Sequence, residues 1–190
     1  MNLTAAITEV KRITSRPDKT VDAIACVNRA ISFFVLKGEF ADDIVESTLA
    51  VNPTLYGATI SLTSLTRFRR FTYIKPTAVR YYLTKIGADK VFTPAQKLQP
   101  NRYYIAGTNL TYTLSALTTA LEIGYLQYPP ILTEVVGNDT HWTLDKIPYA
   151  VIDYAAGLLY EIIGDKQSAT DKMNSGIALF EIYKADHNQA

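Results

Sequence analysis

The chain has 190 residues, 48% of them hydrophobic and 19% charged, with a formal net charge of +1. That length holds one domain, or one domain carrying a small insertion, and the composition is globular rather than disordered. Near-neutral charge argues against bulk affinity for nucleic acid. A lone cysteine, Cys26, rules out an intramolecular disulfide and multi-thiolate zinc sites, and no apolar run approaches the ~20 residues that span a bilayer.

The first residues lead into Glu9, Lys11 and Arg12 without a long apolar stretch, so no signal peptide is expected. The expected setting is the cytoplasm or a particle assembled there. The Asn-x-Thr triplets at Asn2, Asn109 and Asn138 then read as chance matches. Leu3, Ala6, Ile7, Val10 and Ile13 recur at helical spacing and predict a helix over residues 3–14. Ser15-Arg16-Pro17-Asp18 breaks it. A second helix is expected over residues 20–37, carrying Val21, Ile24, Val27, Ile31, Phe34 and Val35 and stopping at Gly38.

From about residue 43 to 128 the chain turns rich in Thr, Tyr, Val, Ile and Leu with short alternations. Strands are expected at residues 44–51, 58–62, 71–74, 79–84, 102–106, 109–114 and 121–125. Turn signals separate them at Asn52-Pro53, Tyr56-Gly57, Lys75-Pro76, Gly87-Ala88-Asp89, Pro100-Asn101 and Gly107-Thr108. The run from Tyr103 to Tyr112 reads as a hairpin. Tyr128-Pro129-Pro130 ends this region, and Gly137-Asn138-Asp139-Thr140 is expected to be a loop.

A helix pair follows. Pro148 opens the first helix, Val151, Ile152, Ala155, Leu158, Leu159, Ile162 and Ile163 follow at helical spacing, and Gly164 closes it. Asp165 or Ser168 can cap the second, which runs to about residue 185. A connection this short makes the two antiparallel. Ala155-Ala156-Gly157 and Gly176 lack bulk, so the helices can approach closely. The tail from Asp186 to Ala190 is polar and expected to be mobile when free. The layout predicts an α+β fold: a helical domain from residues 1–42 and 129–190, and an inserted antiparallel β domain over 43–128.

Chemistry-bearing patterns are scarce. There is no glycine-rich phosphate loop, no G-x-G-x-x-G and no G-x-S-x-G elbow. His141 and His187 are far apart and outside any metal-ligand spacing. Asp42-Asp43 reads as a solvated turn, because neighbouring side chains point differently. Asp139 and His141, beside Trp142, could form a carboxylate–histidine dyad, but a surface loop is the plainer reading. Cys26, in an apolar helix, reads as core. No catalytic, cofactor or metal site is therefore expected. Arg67-Phe68-Arg69-Arg70-Phe71 is the one charge cluster. Arginines interleaved with aromatics can hold a nucleic-acid strand, yet a solvated edge or a subunit contact fits a neutral protein better. The 13 tyrosines suit both interfaces and strands.

The order of these features resembles the head-to-tail adaptor (connector) proteins of tailed phages, the short-tailed type above all. The resemblance is carried by Ile24-Ala25-Cys26-Val27-Asn28-Arg29-Ala30, the Leu62–Phe71 strand with its basic turn, and Arg102-Tyr103-Tyr104-Ile105-Ala106-Gly107. It continues in the strand from Leu121 to Tyr128 with Pro129-Pro130, and in the closing helix, turn and final helix from Ile147 to Ala169. Two elements depart from the family: Ser-Leu-Thr stands where a proline often precedes the basic turn, and only Glu134 and Asp139 represent its acidic loop.

The resemblance implies a virion protein, assembled in host cytoplasm. It forms a homo-oligomeric, typically dodecameric ring between portal and tail or nozzle proteins. Such a ring extends the DNA channel without reading sequence, and has no membrane role. The resemblance also implies that the C-terminal segment, with Tyr183, Lys184, Asp186 and His187, docks on the portal. Arg67, Arg69 and Arg70 would then meet channel DNA or a neighbouring subunit. The alternatives are another neck or tail-completion protein, or a small acid–base enzyme.

Overall fold

The computed structural model describes residues 1–52, 58–87 and 99–187. Pro53, the Tyr56-Gly57 and Ala88-Asp89 turn signals and residues 188–190 lie outside them. The α+β class expected from the sequence is the one observed. The chain divides into two compact units: Met1–Asp42 with Tyr128–Ala190, and Asp43–Gln127.

The first unit is helical. Helix α1 spans Leu3–Thr14, and the Asn2 side chain caps it by accepting from the Ala5 N–H at 3.0 Å. Ser15 ends it in the left-handed region at φ 54°. Helix α2 spans Thr20–Lys37. A short helix, α3, covers Trp142–Lys146, where the sequence suggested only loop. Helix α4 spans Pro148–Ile163 with proline at its start, and Gly164 closes it at φ +89°. Helix α5 spans Lys166–His187, and the Asp165 carboxylate accepts from the Ser168 N–H at 3.1 Å at its start.

Helices α1, α2 and α4 share one core built from Leu3, Val10, Val27, Ile31, Phe34, Val151, Ala155 and Leu159. The Tyr160 hydroxyl donates to the Ile13 carbonyl at 2.9 Å and ties α4 to the end of α1. Helix α5 behaves differently. Its buried residues are Ala169, Gly176 and Phe180, and it lies along α4. A Cβ on Gly157 would stand 2.8 Å from the Ala169 carbonyl oxygen and 2.9 Å from the Met173 nitrogen. A Cβ on Gly176 would stand 2.7 Å from the Ala150 oxygen and 2.9 Å from the Tyr154 nitrogen. The glycines let the two backbones touch, and the contact is backbone against backbone, which cannot swing aside.

The second unit packs two sheets around one core. Strands β1 (Ile44–Ala50), β7 (Ala120–Gln127) and β3 (Phe68–Pro76) form an antiparallel sheet with β7 in the centre. Strands β2 (Ala58–Ser61), β6 (Asn109–Thr113), β5 (Arg102–Ala106) and β4 (Thr84–Lys85) form the other. Its β4–β5 pair is parallel, a departure from the all-antiparallel expectation. Ile74, Leu110, Leu121 and Ile123 are buried between them, with Phe71 edge-on to Tyr103. In the first sheet Gly124 stands between Glu46 and Tyr73. Having no side chain there, it lets the Tyr73 ring cross the strand and donate to Glu46 at 2.8 Å. The strand expected over 79–84 is a bend followed by irregular backbone, and only Thr84–Lys85 pairs.

Replacing Gly157 or Gly176 with Ala tests the close approach. In an open helix that change adds stability of about 0.5–1 kcal/mol. Here it should instead lower stability by about 1–3 kcal/mol, as overpacking does. Denaturant unfolding of the two variants measures the sign directly.

Candidate interaction surfaces

The residues that hinted at chemistry turn out to hold the fold. The His141 Nδ1 accepts from the Thr143 N–H at 3.3 Å and lies 3.0 Å from its hydroxyl, capping α3. The Asp139 carboxylate accepts from Gly137 N–H at 3.3 Å, and its carbonyl accepts from Leu3 N–H at 2.7 Å. Asp42 binds Lys146 through both oxygens at 2.7 Å, whereas its neighbour Asp43 is buried. Cys26 is fully buried, and burial pushes its thiol up to about 11. Among the described residues no cluster of His, Cys, Asp and Glu could hold a metal ion, and no helix is long and apolar enough to cross a membrane.

The arginines sit at the start of β3. Arg67 occupies a left-handed turn at φ 50° and donates to the Gln127 side chain at 3.1 Å. Phe68, Arg69 and Arg70 belong to the strand itself rather than to a basic turn, and Arg70 is exposed. A register shift lies between Phe68 and Arg70.

The C-terminal segment is more ordered than its composition suggested, since α5 continues through His187. The reason is aromatic packing. Tyr183 stacks on His187 at 3.9 Å and packs near Trp142 and Phe40 at 6.2 Å each. The His187 Nδ1 also lies 2.9 Å from the Tyr183 carbonyl. Burial raises the Tyr183 hydroxyl above its ordinary value. Asp186 and His187 are exposed, and Lys184 is half-buried.

Two apolar surfaces escaped sequence reasoning. An open groove of about 790 Å³ runs between α2, α4 and the segment after Tyr128, with Ile24, Phe33, Leu132, Tyr154 and Leu158 among its walls. Phe33 and Tyr154 stack at 4.3 Å and 15° within it. Asn28 holds its outer wall: the side chain donates to the Leu132 carbonyl at 3.1 Å and accepts from the Leu132 N–H at 2.7 Å. A two-way clasp of this kind pairs the backbone as a strand would, because the amide side chain carries its donor and acceptor on two adjacent atoms, as a peptide group does. On α4 and α5, Tyr149, Leu179 and Ile182 form a second exposed apolar face. The only sequence signal was Asn28 itself, noted within a family-like stretch.

Exposed apolar surfaces of this size are of the kind that meets other molecules. The chain belongs to the SU10 adaptor protein family, whose sequence model matches residues 1–188; this is a family of phage head-to-tail adaptors. It is accordingly a phage adaptor and a structural component of the virion. No curated protein matches the chain.

Two outcomes follow from the roles found here. His141→Ala should lower stability by about 0.5–2 kcal/mol through the lost cap, with His141→Asp keeping most of it; equal loss in both would contradict the capping role. Alkali should also destabilise the fold. Cys26 keeps its proton to about 11 against an ordinary thiol value of 9.0. A proton held more tightly in the folded state means stability present below pH 9 and lost as pH rises towards 11. Burial raises Tyr103, Tyr112 and Tyr154 in the same direction. Chemical melts at pH 8, 9.5 and 11 should therefore show a falling midpoint above pH 9.

Proposed function

We propose that this protein forms a closed, dodecameric ring beneath the phage portal, extends the DNA channel and presents the docking surface for tail or nozzle proteins. The observation that supports it most is the adaptor-family match along nearly the whole chain. The helical unit, with two uncovered apolar surfaces, supplies contact area of the kind a ring needs. In this reading the chain is no enzyme and uses no cofactor, and assembly takes place in host cytoplasm.

The end of α5 is assigned to portal docking. Tyr183 anchors the last turn against Trp142 and Phe40, and Lys184, Asp186 and His187 present polar groups around it. The ordered helix offers a prepaid conformation, which lowers the entropy cost of binding. Arg67, Arg69 and Arg70 are assigned to contact with channel DNA or a neighbouring subunit, without base readout.

Native mass spectrometry of purified portal mixed with this protein provides the test. The expected species is one portal ring carrying one ring of this chain. Lys184→Glu combined with His187→Ala should weaken the complex at least tenfold. Binding to a tail-tube or terminator protein with none to the portal would overturn the assignment in favour of a tail-completion role.

A further inference from the structure

The helical unit leaves two unlike apolar surfaces uncovered. The larger is the groove of about 790 Å³ closed by Asn28 and Leu132, where Arg29 and Glu134 supply one cation and one anion. The smaller is a ridge of exposed side chains on α5 and the start of α4, around a hollow of about 280 Å³. Tyr149 is 71% exposed, Ile182 62% and Leu179 39%, with Lys146 and Asp186 beside them. On α5, Leu179, Ile182 and Asp186 fall at helical spacing on one stripe, away from buried Phe180. On α4, Tyr149 lies about 140–180° around the axis from Tyr154 and Leu158 of the groove. The two surfaces therefore look away from each other.

We propose that the Tyr149, Leu179 and Ile182 ridge of one copy docks in the Asn28–Leu132 groove of the next, and that this head-to-tail contact, repeated, closes the ring. The inference rests on the ring reading above and names the surfaces that make it. Shape is the first argument. A groove set against its own copy stays unfilled, whereas the exposed Tyr149, Leu179 and Ile182 side chains can enter it. A ridge in a groove, by contrast, is the usual way a helix with apolar residues three and four apart is bound. Unlike surfaces on opposite sides of one body generate rings when the rotation closes.

Charge is the second argument. Arg29 has no ion-pair partner among the described residues, and neither has Asp186. Docking brings the Arg29 cation of the groove to the Asp186 anion of the ridge, and Glu134 towards Lys146. Lys146 is already shared with Asp42, so the first pair carries the register. Asp186 then stands where the portal-docking turn meets the neighbouring copy, and the paired Arg29 and Asp186 exchange separates the two contacts. Preorganisation is the third: the Asn28 clasp holds the groove wall in place before anything binds.

Disulfide trapping on assembled portal complexes tests the contact. Ala25 is exposed and lines the groove, and Ile182 crowns the ridge. The full-length Ala25→Cys, Ile182→Cys double variant should give, on oxidation, a ladder of covalent multimers on a denaturing gel. Each single variant should stay monomeric, because the native Cys26 is buried. A ring seen on the portal with no ladder, or single variants that dimerise as readily as the double, overturns this contact and leaves the ring reading standing. A wild-type protein that forms no ring on the portal overturns both. In parallel, Arg29→Asp and Asp186→Arg should each reduce ring assembly at least tenfold at low salt, and their combination should restore it. Failure of the combination to restore assembly, with circular dichroism showing folded protein, counts against the pairing.

Discussion

The closeness of α4 and α5 is the constraint on which the helical unit depends. At Gly157 and Gly176 each helix lays backbone on the other, with the Met173 side chain also packed against Gly157. A seam made this way is narrow. It uses Ala169, Gly176 and Phe180 of α5 and leaves the rest of that helix outside the core. The same seam explains why α5 can carry exposed apolar residues at all: its attachment to the fold does not consume them. Phe180 then fixes the rotation of α5, since it packs on Phe34 and Phe40 at 4.8 and 5.8 Å. Leu179 and Ile182 are thereby turned outward.

A second constraint acts on the other side of α4. The stretch after Tyr128 has no helix or strand of its own before α3, and its backbone groups need partners. Asn28 supplies two of them at Leu132, and Leu132 becomes fully buried as a result. Residues beyond it are left in solvent, with Val136 93% exposed. One polar side chain on α2 therefore shapes a groove whose walls are mostly apolar. Charge elsewhere is spent on surface pairs such as Arg16–Asp18 and Lys75–Glu122, which add little to stability and carry no chemistry.

Local signals explain what the sequence revealed. The ends of α1, α2 and α4 were readable because Pro17, Gly38, Pro148 and Gly164 act within one turn of themselves, whereas the Asn2 cap of α1 was not read from the sequence. The β5–β6 hairpin was readable for the same reason. Errors arose where distant partners decide. Helix α3 is only five residues long and is stabilised by His141, a cap outside the usual set. Residues 79–84 alternate like a strand, but Leu83 bonds back to Ile74, and the pairing of Thr84–Lys85 runs parallel to β5. The final turn looked like a polar tail because the stacking of Tyr183 on His187, near Trp142, is invisible in composition. Both apolar surfaces were hidden as well. Val21, Leu179 and Ile182 fit a helical pattern whether they face a core or solvent, and only the packed structure separates the two.

The central claim is that the helical unit is a frame whose two opposite faces join copy to copy. An electron-microscopy reconstruction of the portal with this protein bound, resolved well enough to trace α5, addresses it most directly. The account predicts a ring in which Ile182 of each copy sits against Phe33 and Tyr154 of its neighbour. A ring with that groove open to solvent, or copies related in two-fold pairs, would contradict it.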